Sequence, residues 1–258
     1  MSIMKKLREY LNRPLSFIMF LLIIISTVIT ALTVVFIIGY IFIKGVPNLS
    51  LDLFSLKYSS SNQSMLPSII NTVYLTALTL LLAVPIGIFS AIYLAEYSRK
   101  NSFFVKTINI ANETLSGIPS IVYGLFGFLA FVISKKWGYS LLAGVITLAI
   151  MVLPLIIRTS QEAMLGVDNT FREASYGLGA GKLRTVFKIV LPSAMPGILS
   201  GIILAIGRIV GETAALIYTA GTVPEAATKL TSSSRTISVH LYCLLNEGLY
   251  TEQAYATA

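Results

Sequence analysis

Arg208 and Glu212 stand four residues apart inside an apolar run from Gly197 to Ala220. In water such a pair would mean little. At the centre of a bilayer each charge costs about 2.5–3.5 kcal/mol on insertion scales. The two must therefore be shielded by protein, by water or by each other. On a continuous helix they would share one face. The pair then either neutralises itself and stabilises a bundle, or forms a polar face on a transport path. In the second case the planar donor fork of Arg208 suits oxyanions.

A second informative stretch runs from Arg158 to Pro196. Loops beyond about 12–15 residues usually carry structure or function of their own. Thr170-Phe171-Arg172-Glu173 has the form of a capping box, with Thr170 as the cap. The spacing predicts a short helix over Ala174–Leu178, a sharp turn at Gly177, Gly179 and Gly181, and a basic-faced helix over Lys182–Val190. Pro192 and Pro196 are expected to end that second helix. Gly177-Leu178-Gly179-Ala180-Gly181-Lys182 looks like a phosphate-binding loop and is not one. Tyr176 stands where that loop needs glycine, and Leu183 where it needs Ser or Thr. No strand precedes it, as a dinucleotide fingerprint would require.

The remaining chemistry is sparse. One cysteine, Cys243, and one histidine, His240, exclude multi-thiolate and His-rich metal sites. Three residues apart, they read as packing residues. No Gly-x-Ser-x-Gly elbow and no His-Glu-x-x-His helix occurs, which weighs against a membrane enzyme.

What holds these residues is a lipid-solvated chain. Of 258 residues, 55% are apolar and 12% charged, and the mean hydropathy is +0.82. So few charges could not cover a soluble surface, where about 25% is usual. Apolar runs place spans at Leu15–Ile43, Pro67–Leu94, Thr114–Ser134, Trp137–Ile157 and Gly197–Ala220. The first run is too long for a signal peptide, and no small-residue cleavage site follows it. Pro85 and Pro119 fall inside spans. Ser116-Gly117-Ile118-Pro119-Ser120 predicts either a simple kink or irregular backbone lining a polar path. The tail from Gly221 holds no complete span, and a sixth span is expected beyond Ala258.

The formal net charge of +8 is spread over connecting segments, so it points to membrane orientation and not to nucleic acid. With the N-terminus inside, inner segments carry twelve Lys and Arg and outer segments six, with Arg208 intramembrane. Lys44, Lys57 and Trp137 read as interfacial anchors, and Asp52 and Glu113 as loop carboxylates or caps.

Glu173-Ala174-Ser175, then Gly179, then nine residues to Ile189-Val190-Leu191-Pro192, resembles the E-A-A-x3-G-x9-I-x-L-P loop of permease subunits of ATP-binding-cassette importers. Only Ser175 departs, small for small. Gly207 to Gly221, Ser116 to Gly127 and Ser234 to Tyr242 are similar to stretches of phosphate-importer permeases, the PstA type more than the PstC type. The likeness runs from about Pro67 to the C-terminus.

The resemblance implies an all-α polytopic membrane protein with the MetI-like bundle of type I importer permeases. It implies one transmembrane domain over 1–258, with the first span at 15–43, a core at 67–258 and a cytoplasmic coupling loop at 158–196. That loop would dock on the ATPase through Glu173, Ala174, Ser175, Gly179, Ile189, Leu191 and Pro192. Arg208, Glu212 and Arg158 would lie on the substrate path, although positive-inside bias alone also explains Arg158. Arg208 would bind phosphate oxygens and Glu212 would accept the phosphate O–H, which sulfate lacks at neutral pH. The chain itself would carry no cofactor, metal or catalytic residue. ATP and Mg would sit in a separate ATPase dimer (PstB type). A homologous second permease (PstC type) and an extracytoplasmic phosphate-binding protein (PstS type) complete the implied partners, with membrane lipid and no nucleic acid. The alternatives are an importer permease for another anion or small solute, and an ATP-independent secondary transporter. The latter would need no docking loop.

Overall fold

The computed structural model describes residues 14–98 and 102–258. Lys5, Lys6, Arg8 and Arg13 of the first basic segment, and Arg99 and Lys100 of the second, lie outside the described residues. The chain divides into two compact parts, one built from its two ends and one spanning Ser50–Gly248.

In the first part, helix α1 (Pro14–Gly45) is apolar on every side, and none of its most apolar window is buried. A helix that is hydrophobic all round needs lipid or other helices around it. The hydroxyls of Thr27, Thr30 and Thr33 donate to the carbonyls of Ile23, Ser26 and Ile29 at 2.8 Å each, which satisfies them where lipid cannot. A short terminal helix, Thr251–Thr257, sets Tyr255 edge-on to Tyr40, with ring centroids 5.9 Å apart.

The second part holds α2 (Leu66–Tyr97), α3 (Phe103–Gly117), α4 (Ser120–Ser134), α5 (Leu141–Leu165), α6 (Asn169–Gly177), α7 (Lys182–Val210), α8 (Ala214–Thr219) and α9 (Ile237–Glu247). Among the described residues there is no strand. Helices α2, α5 and α7, like α1, are long and apolar enough to cross a membrane, and α3 with α4 would make a fifth span. This is the expected all-α membrane bundle. Helix α5 forms its centre, with 61% of its apolar window buried against 33% for α2 and 28% for α7. Leu148, Met151, Val152 and Ile156 of α5 are wholly enclosed or nearly so.

Close approach of small residues holds the bundle, as expected where lipid gives no hydrophobic drive between helices. Gly197 and Gly201 of α7 face Ala163 and Thr159 of α5, and a Cβ on Gly197 would stand 2.7 Å from that of Ala163. Gly87 of α2 faces Ile156 just as closely.

The structure bears out one expectation and corrects several. The third span, Thr114–Ser134, is broken within Ser116–Ser120, the stretch predicted to kink it or to form irregular backbone. Its two helical pieces meet at 99° around Ile118–Pro119, and the Tyr123 hydroxyl closes the corner by donating to the Leu115 carbonyl at 2.8 Å. The fourth span continues as helix to Leu165, past the predicted end at Ile157. Pro192 and Pro196 do not end a helix: α7 runs through both. A wider π-type turn over Val186–Val190 precedes Pro192 and accommodates it without ending the helix. The fifth span does not reach Ala220 unbroken. It stops at Val210, and α8 follows after Gly211–Thr213.

Helix α8 is seated against α4 through glycine. A Cβ on Gly124 would meet the Ala215 Cα at 2.8 Å and the Ala214 carbonyl oxygen at 3.2 Å, both backbone atoms that cannot turn aside. Gly124→Ala should therefore lower stability by about 1–3 kcal/mol through overpacking. This is read as a lower thermal midpoint of the detergent-solubilised chain. Gly39→Ala, with nothing within 4 Å, should leave the midpoint unchanged or slightly raised.

Candidate functional site

The break between α7 and α8 is built from specific bonds. Gly211 N–H donates to the Gly207 carbonyl at 3.1 Å and Glu212 N–H to the Ile209 carbonyl at 3.2 Å, which closes the helix. The Ser238 hydroxyl, from α9, donates to the Val210 carbonyl, one of the orphan acceptors at a helix end. Glu212 is buried, and its Oε1 accepts the Ala215 N–H at 3.0 Å, satisfying a free donor in the first turn of α8.

The carboxylate of Glu212 therefore serves α8. No ion pair joins it to Arg208 among the described residues, and the expectation of one shared helix face is corrected, because the helix ends between them. Arg208 is half-buried near the end of α7 and has no ion-pair or hydrogen-bond partner among the described residues. It lines a concavity of 550 Å³ with Leu155, Ser200, Ile203, Leu204 and Gly207. A guanidinium on mostly apolar walls keeps its whole donor fork available to an anion. Arg158 lies one helical turn beyond Leu155 on α5, is exposed, and pairs with Glu162 at 2.9 Å. Its charge already has an acid; that of Arg208 has none. No cluster of His, Cys, Asp and Glu among the described residues could hold a metal.

The predicted loop motif folds into α6 and the turn after it. The cap is Asp168 and not Thr170. Asp168 accepts the Thr170 N–H at 2.9 Å and its hydroxyl at 3.0 Å, and these bonds hold the Asp168 carboxyl below the usual carboxylate range. Gly179 sits at φ +81°, where a side chain would be strained, and so reverses the chain. Ser175, the one departure from the motif, is buried, and its hydroxyl bonds that of Thr185 at 2.8 Å, tying α6 to the start of α7. Glu173, Ala174 and Pro192 are exposed, while Ile189 and Leu191 are half-buried. Around them Phe171, Tyr176, Leu178 and Leu183 expose apolar side chains on the same loop.

Sequence reasoning missed what fastens this loop. Arg172 Nη2 and Nε donate to Glu96 Oε1 at 2.7 and 3.1 Å, with the two side chains only 12% and 7% exposed. The same guanidinium bonds the carbonyls of Met164 and Val167 and the Asn169 side chain. Lys182 Nζ lies 5.0 Å from the ring centroid of Tyr97. A lone acid and an aromatic ending an apolar run, Glu96-Tyr97, were the available signal. Also missed was a buried polar group at the Leu66 end of α2. Asn71 bonds the backbone of Glu225, Ala227 and Arg235. Arg235, 4% exposed, stacks over Tyr58 at 4.8 Å. His240, called a packing residue, is fully buried, with Tyr58 edge-on to it.

The family profile described as the binding-protein-dependent transport system inner membrane component matches residues 83–240. The chain is 35% identical over 218 residues to the phosphate transport system permease protein PstA of Haemophilus influenzae, covering 84% of this chain and 77% of that one. It is 37% identical over 187 residues to the "Probable ABC transporter permease protein YqgI" of Bacillus subtilis. That match covers 71% of this chain, which spans 63% of that relative's length. In structure it is similar to a chain of a bacterial ABC transporter involved in the import of the acidic polysaccharide alginate, with TM-score 0.64 and 17% identity, over 98% of this chain and 91% of that one. At that identity the likeness speaks for the fold.

The Arg235–His240 cluster makes stability acid-sensitive. Burial first, and then the Arg235 guanidinium, push His240 down from 6.5 to about 4. The unfolded chain would bind this proton near 6.5, so the contribution is complete above that pH and is lost as pH falls towards about 4. The thermal midpoint should fall over that window, and His240→Gln should flatten the fall. An unaltered slope in that variant would contradict the assignment.

Proposed function

We infer a specific transport role from one premise: this chain belongs to the family of binding-protein-dependent transport system inner membrane components. It is a transmembrane subunit of an ATP-driven importer of inorganic phosphate and contributes half of the translocation pathway. The likeness to the Haemophilus influenzae phosphate permease supports the substrate. The single observation that carries the reading is Arg208, a half-buried guanidinium without an acid partner among the described residues, lining a concavity in the bundle. An unpaired cation in lipid is costly unless a ligand offsets it during transport.

In this reading Arg208 takes phosphate oxygens during passage. Glu212 shapes the path by holding the start of α8, and Arg158 presents a second guanidinium one turn from the same concavity. The N-terminus lies inside, so α6 and the turn at Gly179 face the cytoplasm and the 221–236 loop faces out. Glu173, Ala174, Ser175, Gly179, Ile189, Leu191 and Pro192 form the surface and the support that engage the ATPase. ATP and Mg belong to that separate subunit pair. This chain carries out no hydrolysis. A homologous second permease closes the pathway, and an extracytoplasmic binding protein delivers phosphate.

Vesicles holding this chain with its co-purified partners should take up labelled phosphate only with ATP and Mg. Arg208→Ala should reduce uptake by about thirtyfold or more, the scale for removing one partner of a desolvated charged contact. Full uptake in that variant would remove Arg208 from the path. ATPase activity stimulated by another solute, with no phosphate uptake, would keep the importer and discard phosphate.

A further inference from the structure

Both ends of α2 are fastened by side chains to loops that the proposed function places on opposite sides of the membrane. At one end, consecutive residues hold the two arms of the ATPase-facing loop. Glu96 takes the Arg172 fork from α6, and the Tyr97 ring lies beneath Lys182 at the start of α7. At the other end Asn71, fully buried, donates to the carbonyls of Glu225 and Arg235 at 3.0 and 3.2 Å and accepts the Ala227 N–H at 2.8 Å. Beside it the Thr72 hydroxyl oxygen accepts the Ile237 N–H at 2.9 Å. Helix α2 is 32 residues long, and the fastenings at Asn71 and Glu96 lie within it. At about 1.5 Å per residue they stand ~38 Å apart along the axis, enough to cross the hydrocarbon core.

Chain connectivity makes α2 distinct. Helix α5 runs directly into α6, so it moves with the loop whatever the side chains do. Helix α2 does not adjoin that loop in sequence. Its polar attachment there is the Arg172–Glu96 bond pair and the Lys182–Tyr97 contact, above apolar packing of Ala91 and Ile92 on Met164, Val186 and Val190. A guanidinium fork on a carboxylate is strong and directional, and α2 stays continuous helix from Leu66 to Tyr97 through Pro85 and the π-type turn at Tyr93–Tyr97.

We propose that α2 is a strut, which carries the ATP-driven displacement of the α6 loop to the extracytoplasmic 221–236 loop, with Glu96, Arg172 and Asn71 as its positioning residues. This rests on the coupling role assigned above to α6. It adds that the far loop answers the ATPase chiefly through α2, beside α5, whose first N–H groups bond the Ser232 and Leu230 carbonyls, and that releasing either end of α2 removes its share of the response. Gly87 against Ile156 leaves α2 little room to slide on α5 under load, so the two helices shift as one body while both fastenings hold.

The test uses the complete transporter in vesicles, with Thr228→Cys as an exposed reporter on the far loop and Cys243→Ser removing the native thiol. A membrane-impermeant maleimide reports the labelling rate with and without ATP and Mg. In this parent, nucleotide should change the rate about threefold or more. Glu96→Gln and Asn71→Leu should each abolish most of that response, while the ATPase still co-purifies. The double variant should be no worse than the more severe single, because a strut released at one end has nothing left to lose at the other. A normal nucleotide response in Glu96→Gln, or single effects that multiply in the double, would overturn the strut. If Glu96→Gln fails to accumulate, Lys182→Met tests the same end and should again not multiply with Asn71→Leu. A parent that responds to nucleotide but takes up no phosphate would leave the strut standing and sink the substrate. A parent with no co-purifying ATPase, or with no response, would sink the strut.

Discussion

Lipid supplies no hydrogen bonds, so each departure from helix in this chain has to be satisfied by the chain itself. The corner at Ile118–Pro119 is closed by Tyr123 on the Leu115 carbonyl. The gap at Gly211–Thr213 is closed by Ser238 on one side and Glu212 on the other. The irregular 221–236 loop feeds its backbone to Asn71 and Thr72, and its Ser232 and Leu230 carbonyls take the first free N–H groups of α5. At each of these three places a polar side chain stands where the backbone stops being regular.

The same constraint sorts the arginines. Arg172 spends its fork on one carboxylate, two carbonyls and a side-chain amide oxygen, and it is a fixture. Arg235 is sealed against the face of Tyr58. Arg158 holds Glu162 at the surface, where an ion pair is worth little. Arg208 alone among these four is half-buried with no ion pair, hydrogen bond or ring stacked on it within the described residues, although Tyr123 lies within its electrostatic reach. Function is read here from what a cation lacks, since residue type is the same in all four cases.

Sequence alone placed the spans to within a turn or two where periodicity and charge agreed, as in α1 and α2. The loop motif was legible because its spacing encodes geometry: Gly179 needs positive φ, and position 175 needs a side chain small enough to be buried. Three features were not legible. Asp168 took the cap from Thr170, since either short polar side chain fits that position and tertiary placement decided. Pro192 and Pro196 read as stops by local rule, whereas the wider turn at Val186–Val190 lets the helix continue past them. The gap after Val210 was hidden because the apolar residues between Arg208, Glu212, Thr213 and Thr219 still read as one run to Ala220, and hydropathy cannot tell one helix from two.

Breaks and fastenings also divide the work between stiff and yielding parts. Helices α2 and α5 each run without interruption between the loops at their ends, whereas α3 with α4 and α7 with α8 bend or stop midway. Discontinuous helices supply free helix ends and irregular backbone, the features that polar solutes use inside a membrane. Continuous helices supply rigidity over the full thickness. Arg208 lies at the end of an interrupted helix, and Glu96 and Asn71 lie at the ends of an uninterrupted one. A transporter must both yield to its solute and transmit force from its motor. In the proposed reading the two demands fall on different helices, with Arg208 beside a break and Glu96 and Asn71 on a continuous helix.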